Sequence, residues 1–393
     1  MFNVARVLAK LSLHESIRQG INADPRHLLD LLDLLHSTAS WALVRTSGPA
    51  GPAAAQGIAL MVRLAFTLGN LTASNERNRA AVLKSGGCGG LVHVLCAAHE
   101  AHGFCEGEAR EEAEDLLVKL IRLVANLSIS GEAGPALVRL EGVACLVPIL
   151  RASLDANREE LLLNAVSAVT NLSFYGGGGG GSGGSGGGGS VVLRESRPLI
   201  AVLVEVLLHE NEEAVAEAAR AFGNFSRLPD GRQAMAAARA DEALVILLDH
   251  AARDVVLAAA GALVNMGSDP SCFEALLASP APGAPNGCAK LVSLVRRLGL
   301  RDSPLAAVCC KALYNSLGAA HGAGAAGRGL DGRELARLAA SLEELLEVTD
   351  EDEDFCTAAG ALLRLVRGIE EEEQARAAEA SQYEELEPPP GHK

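Results

Sequence analysis

The stretch RLAFTLGNLTASNERNRAAVLKSGG, Arg63 to Gly87, decides how the chain is read. Leu64, Phe66, Leu68 and Leu71 give it the apolar content of a buried helix, yet Asn70 stands in its middle. The same asparagine recurs. Six similar segments carry it: RLAFTLGNLT at Asn70, IRLVANLSIS at Asn126, AVSAVTNLSF at Asn171, ARAFGNFSRL at Asn224, GALVNMGSDP at Asn265 and KALYNSLGAA at Asn315. The spacings are 56, 45, 53, 41 and 50 residues. A period of about 40–47 residues belongs to stacked helical repeats, and the longer intervals contain insertions. One insertion is plain: GGGGGGSGGSGGGGS, Gly176 to Ser190, supplies fifteen of the residues between Asn171 and Asn224. It reads as a flexible linker in an inter-repeat loop.

Composition agrees with a helical array. A chain of 393 residues is too long for one compact core. Hydrophobic residues make up 49% of it and aromatics only 3%, so the core is built from Ala, Leu and Val. No Asn-Gly or Asp-Gly turn is flanked by alternating apolar residues, which leaves little sign of strands. The nine cysteines contain no C-x-x-C pair and sit mostly in apolar helical context, so they are expected to be reduced and buried rather than a disulfide framework. MFNVARVLAKLSLHESIRQG lacks the pattern of a signal peptide, and no run of eighteen apolar residues is free of charge, so no membrane span or membrane partner is expected. Net charge is −15, and the segment from Ser341 to Lys393, with sixteen acidic and four basic residues, holds −12 of it. A nearly neutral body with an acidic tail excludes a nucleic-acid partner held by a basic surface.

Between the asparagine helices lies a second shared pattern, a short helix, a break and a strongly apolar helix. RNRAAVLKSGGCGGLVHVLCAA, GPALVRLEGVACLVPILRAS and GRQAMAAARADEALVILLDH all show it. A three-helix unit of this kind cannot bury its apolar stripe alone, so neighbours must stack and share a core. That is the armadillo repeat. The third-helix pattern survives at both ends with the asparagine replaced, by Lys10 in VARVLAKLSLHE and by Arg364 in GALLRLVRG. The expected fold is therefore all-α, a right-handed armadillo-repeat superhelix (α-solenoid) of about eight repeats over residues 1–368. An acidic tail, partly helical or disordered, follows over 369–393. The first repeat is incomplete, because the chain opens on a third helix, as the end of a longer parent or an incomplete gene model would.

Third helices of such a superhelix line its concave face, so Asn70, Asn126, Asn171, Asn224, Asn265 and Asn315 are expected to form a ladder along a groove. An asparagine amide offers donors and an acceptor to the backbone of an extended peptide. Alternatively each satisfies backbone groups of the adjacent repeat, and both roles can hold at once. One turn earlier, on the same face, stand Phe66, Arg122, Ser167, Arg220, Gly261 and Lys311. Importin-type grooves carry tryptophan there, and the single tryptophan here is Trp41, elsewhere in its repeat. Lys10, Arg122, Arg220, Lys311 and Arg364 instead put positive charge along the groove, as in catenin-like proteins that hold acidic extended partners, unless these side chains merely snorkel from a solvated face.

Several patterns mimic chemistry. Asn70-Leu-Thr, Asn126-Leu-Ser, Asn171-Leu-Ser and Asn224-Phe-Ser match the glycosylation sequon, but each lies inside a helix and reads as a by-product of the repeat. HVLCAAHEAHGFC sets His93, Cys96, His99, His102 and Cys105 at steps of three, which drift around a helix and cannot all converge on one ion, so no metal is expected. GGSGG lacks the strand and helix of a nucleophile elbow. DEDED, from Asp350, and EEEE, from Glu370, read as a solvated loop and helix face. No catalytic constellation, cofactor motif or small-molecule site is found, and no enzyme is expected.

Six blocks, FNVARVLAKLSLHE, MVRLAFTLGNLTASN, AEDLLVKLIRLVANLSIS, AVTNLSFY, EAVAEAARAFGNFSR and VCCKALYNSLG, resemble the armadillo repeat-containing protein 2 family of ciliated organisms, in the same order from residue 2 to about 318. The resemblance weakens after Gly318. It places this chain in the carboxy-terminal repeat region of longer proteins. It implies a non-enzymatic adaptor for assembly of motile cilia and flagella, sperm flagella included. Its implied partners are radial-spoke or central-apparatus components of the axoneme and the intraflagellar transport machinery, met in the cytoplasm and the cilium or flagellum. The alternative is a generic interaction scaffold of catenin or ubiquitin-ligase-adaptor type outside cilia.

Overall fold

Helix ends follow from local chemistry. Asn75 accepts the Asn78 amide at 3.1 Å and starts a helix, as Asp24 does at the Arg26 amide (3.0 Å) and Asp302 at the Leu305 amide (3.2 Å). Pro25 and Pro304 stand just inside two of these starts, where a missing N–H costs nothing. The computed structural model describes residues 2–43, 51–105, 107–140, 142–177, 196–269, 272, 274–279, 281–299, 301–324, 329–348 and 352–386. Among them there is no β-strand.

By packing, the chain forms two units, Met1–Phe225 and Ser226–Lys393. In unit one, α1 (Phe2–Leu11) precedes α2 (Glu15–Asn22), α3 (Pro25–Ala42) and α4 (Pro52–Thr72). The next repeats are α5 (Glu76–Lys84), α6 (Gly87–His102) and α7 (Gly107–Ser128), then α8 (Ala133–Arg139), α9 (Gly142–Asp155) and α10 (Glu159–Ser173). A 3-10 turn, Phe174–Gly177, follows, and residues 178–190 of the glycine tract lie outside the described residues. The unit closes with α11 (Ser196–Leu207) and α12 (Glu212–Phe225).

Unit two begins with α13 (Pro229–Ala237), α14 (Ala240–Leu247) and α15 (Arg253–Gly267). It continues with α16 (Glu274–Leu277), α17 (Gly287–Leu298) and α18 (Ser303–Gly322), and ends with α19 (Gly332–Val348) and α20 (Glu353–Leu386). Residues 387–393 of the acidic tail are outside the described residues. The eight third-helix positions read from sequence fall on α1, α4, α7, α10, α12, α15, α18 and α20. Within unit one these helices pack in order, α1 on α4, α4 on α7, α7 on α10 and α10 on α12; within unit two, α15 packs on α18 and α18 on α20.

The core is Leu, Val and Ala with few rings: Met61, Leu64, Leu68 and Leu71 of α4 are fully buried, and Phe222 and Phe225 meet edge to face. By length and composition α4 could cross a membrane, but it carries Arg63 and spends its apolar surface on α1, α3 and α7. At the first helix that surface has no neighbour. Val4 is 71% and Val7 55% exposed, with Phe2 and Leu11 beside them.

Each third helix ends with backbone carbonyls that lack helical partners. An arginine on the following short helix reaches back to them: Arg18 donates to the Ser12 and Leu13 carbonyls (2.9 and 2.7 Å), Arg79 to Thr72 and Ala73 (2.9 and 2.5 Å), and Arg232 to Ser226 (3.0 Å). In the α8 repeat Tyr175 takes this role, its hydroxyl donating to the Ile129 and Ser130 carbonyls at 3.2 and 3.1 Å.

One expectation is corrected. Cys96 on α6 and Cys145 on α9 form a disulfide, with Cα atoms 5.8 Å apart. Second helices of consecutive repeats pack closely enough here for two half-buried thiols to meet, whatever their apolar sequence context suggests. Cys88, Cys105, Cys288, Cys309 and Cys310 are reduced thiols.

The break between first and second helices needs one special backbone position. Gly86 sits there at φ +77°, and α5 and α6 diverge by 85°. Gly86→Ala is expected to lower stability by about 1–2 kcal/mol, because a side chain is disfavoured in the left-handed region. Gly69→Ala, in a helix interior where an added methyl meets nothing within 4 Å, is expected to raise it by about 0.5–1 kcal/mol. Urea midpoints of the two variants should therefore move in opposite directions.

Candidate functional site

The six asparagines share one job. Asn126 Nδ2 donates to the Gly69 carbonyl (3.0 Å), Asn171 to Ala125 (3.2 Å), Asn224 to Thr170 (3.1 Å) and Asn315 to Val264 (2.8 Å). In every case the acceptor is the residue just before the asparagine, or its counterpart, of the preceding third helix. Asn70 and Asn265 reach instead the hydroxyls of Ser12 (2.9 Å) and Ser226 (3.0 Å), and Asn224 also reaches Ser173 (3.0 Å). Those serines lie two residues beyond Lys10, Asn224 and Asn171. The register between neighbouring repeats is thus fixed by one amide.

This geometry explains the sequons. Two residues after Lys10, Asn70, Asn126 and Asn171 a hydroxyl is buried at the seam and donates to its own helix: Ser12 to the Ala9 carbonyl, Thr72 to Leu68, Ser128 to Ala125 and Ser173 to Thr170, all at 2.7–2.8 Å. The amide nitrogen that a glycan would occupy is already committed to the preceding helix. Reading the pattern as a by-product of the repeat missed the hydroxyl's part in it. Its signal was available, because Ser or Thr recurs at that offset after Lys10, Asn70, Asn126, Asn171 and Asn224.

The asparagines are half-buried. Among the described residues none of the six Oδ1 atoms has a hydrogen-bond partner, and none is sealed from solvent. Each amide therefore points its N–H into the seam and leaves its oxygen at the surface.

The five cations of the same face divide. Lys10, Arg122 and Arg364 are exposed and have no side-chain partner among the described residues. Arg220 pairs with Glu217 one turn back (2.5 Å), and Lys311 with Asp354 of α20 (2.7 Å). A further turn back on the face, Lys119 lies between Asp115 (3.1 Å) and Glu160 (3.5 Å). The face alternates in sign. Cations gather at the start of unit one, where Arg6, Lys10, Arg63 and Lys119 line a cavity of about 420 Å³ with Phe66 and Leu13. Sequence reasoning stopped one turn short of Arg63 and Lys119, which stand seven residues before Asn70 and Asn126 and so share their face. Arg63 keeps its Nε buried and unpaired.

The remaining titratable clusters have structural settings. Cys96 is held by Cys145, burial keeps His99 and His102 below the usual imidazole range, and no group of three His, Cys, Asp or Glu among the described residues is placed to hold a metal. Burial pushes the Cys288 and Cys310 thiols up to about 12, which leaves them protonated and unreactive at neutral pH. The acidic clusters are less free than a solvated surface: Asp352 accepts the Ser303 hydroxyl and the Phe355 amide, Glu370 meets Arg367 at 2.9 Å, and Glu372 meets His321 at 3.3 Å.

No family model matches the chain. It is similar to armadillo repeat-containing protein 2 of Mus musculus, with 31% identity over 265 residues that cover 65% of this chain and 29% of that protein. The Bos taurus and Homo sapiens proteins of the same name are each 30% identical, over 272 and 271 residues, with the same coverage. The chain thus spans under a third of the length of these curated relatives. Crystal structures of two engineered proteins share its fold. One has a TM-score of 0.54 at 21% identity over 93% of this chain and 95% of the other; the second has 0.53 at 22% over 74% and 97%. The chain has the all-α solenoid fold of stacked three-helix armadillo-type repeats, and over 65% of its length it is similar to armadillo repeat-containing protein 2.

Proposed function

We propose that the chain works as a non-enzymatic adaptor in the assembly of motile cilia and flagella, in the transport or stability of radial spokes and the central apparatus. It would act in the cytoplasm and in the cilium or flagellum. The observation that carries the adaptor reading is the row of asparagine oxygens on the third helices. An acceptor presented once per repeat can pair with the backbone N–H groups of an extended segment whatever its side chains, while flanking charges select among segments. The ciliary assignment draws its support from the similarity to armadillo repeat-containing protein 2.

Binding and folding roles of the face are separable. Lys10 and Arg122 are unpaired, so Lys10→Glu with Arg122→Glu should shift stability by no more than about 0.5 kcal/mol per site. The pair should nevertheless reduce capture of radial-spoke proteins from extracts of flagella-regenerating cells, and more so at low salt. Undiminished capture would move the site off this face. A partner set of junctional or ubiquitin-ligase components, without axonemal proteins, would favour a scaffold outside cilia.

The asparagines should respond differently. Asn224→Ala removes two donors from the seam and is expected to cost about 1–3 kcal/mol, whereas Asn171→Ala removes one and costs about 0.5–1.5 kcal/mol. Thermal or urea melts of the two variants give the comparison directly.

A further inference from the structure

A second surface lies away from the asparagine face, in unit two, between α17 and α19. Both are second helices of consecutive repeats. In unit one such helices lie against one another, α3 on α6, α6 on α9 and α9 on α11. Here Leu345 packs at Gly299, at the end of α17, and the rest of the seam opens into a cavity of about 730 Å³. Its walls bring together Arg296 and Arg297 of α17, Arg301 of the next turn and Arg337 of α19. All four are exposed, and none has a side-chain partner among the described residues.

Four neighbouring arginines without partners are out of keeping with a chain of net charge −15. Some exposed arginines elsewhere find carboxylates, as Arg151 does at Glu205, Arg239 at Glu242, Arg253 at Asp302 and Arg367 at Glu343, and others, such as Arg122 and Arg364, do not; here four lie together around one cavity. Arg296 and Arg297 also complement the C-terminal dipole of α17, but that accounts for neither Arg301 nor Arg337. Val292, Leu330 and Leu345 give the cavity an apolar part beside Ser293, Ser341, Glu334 and Glu344, with Val348 66% exposed at its edge. Guanidinium forks match carboxylates in pairs, and an apolar floor between them suits a side-chain anchor.

We propose that this cleft binds an acidic segment of a protein partner, its carboxylates on the four arginines and an apolar side chain on Leu345 and Val348. Nucleic acid fits less well. No aromatic ring lines the cleft to stack a base; Glu334 and Glu344 share its walls and oppose any anion there, so the segment's carboxylates must fall on the arginine side. Glu334 is already engaged in a reciprocal cap with Asp331, each side chain accepting the other's backbone amide at 2.8 Å. The site is separate from the asparagine face, so its occupancy is expected to leave that face free for a different partner.

The test uses the full chain and a fluorescein-labelled amphipathic peptide of Glu, Leu and Ala, with fluorescence anisotropy as the readout. Two competitors are included, the same peptide with Lys for Glu and a poly-dT oligonucleotide. The wild-type chain should bind the acidic peptide with strong salt dependence. Arg296→Glu, Arg297→Glu and Arg337→Glu together should weaken it by at least about tenfold, the loss that one charge-assisted hydrogen bond entails. The same three positions changed to Lys should restore part of the affinity but not all, because charge returns without the fork. Arg77→Glu with Arg139→Glu, exposed positions on α5 and α8 outside the cleft, should leave it unchanged. Matching melting temperatures exclude unfolding as the cause of a loss. Absence of binding, equal affinity in the glutamate variant, loss in the Arg77 and Arg139 variant alone, or displacement by poly-dT but not by unlabelled acidic peptide would each overturn the proposal.

Discussion

The rest of the structure depends on the seam between consecutive third helices. An armadillo unit has an apolar stripe on both sides of its third helix, and helices as rich in Ala and Leu as these could slide along one another with little loss of buried area. A single amide removes that freedom. It donates to one carbonyl, or to the serine three residues beyond it, in the neighbouring helix, and the geometry is met in one register. A carbonyl engaged in its own helix still has a second lone pair, so the bond adds to the helical ladder rather than competing with it. Arginine or tyrosine from the following short helix then closes the end of the same third helix. The seam is polar in the middle of an otherwise apolar stack, and this gives the repeats a unique alignment.

Much of this was legible in the sequence because the repeat rests on period. Six asparagines at intervals near the armadillo length, with a short helix, a break and an apolar helix between them, admit one architecture. Lys10 and Arg364 could be placed on third helices by pattern alone, and α1 and α20 carry them there. The direction of each amide was not legible. A side chain with both donor and acceptor reads the same whether it faces a groove or a neighbouring helix; here its N–H is turned to the neighbouring helix. Pairing was hidden too. Lys311 finds an acid on the next helix and Cys96 finds Cys145, through contacts 43 and 49 positions apart that no local pattern encodes, whereas the Arg220–Glu217 pair, three residues apart on one helix, was open to reading.

On the function proposed above, one residue type divides its labour: donation of N–H fixes the scaffold, and the outward oxygen would offer a contact that does not depend on partner sequence, leaving selectivity to the charges around it. Within unit one cations gather near α1, where Arg6, Lys10, Arg63 and Lys119 line one cavity with Asp115.

Hydrogen exchange of the asparagine side-chain amides, followed by NMR on chain labelled with ¹⁵N at asparagine, tests this most directly. Asn3 and Asn157, exposed and without side-chain bonds, supply the free reference. Exchange at Asn70, Asn126, Asn171, Asn224, Asn265 and Asn315 should be slower by about tenfold or more, the factor that a hydrogen bond of about 1.4 kcal/mol confers. Exchange of the six at the reference rate would mean that the amides do not hold the seam, and that the alignment of the repeats comes from apolar packing alone.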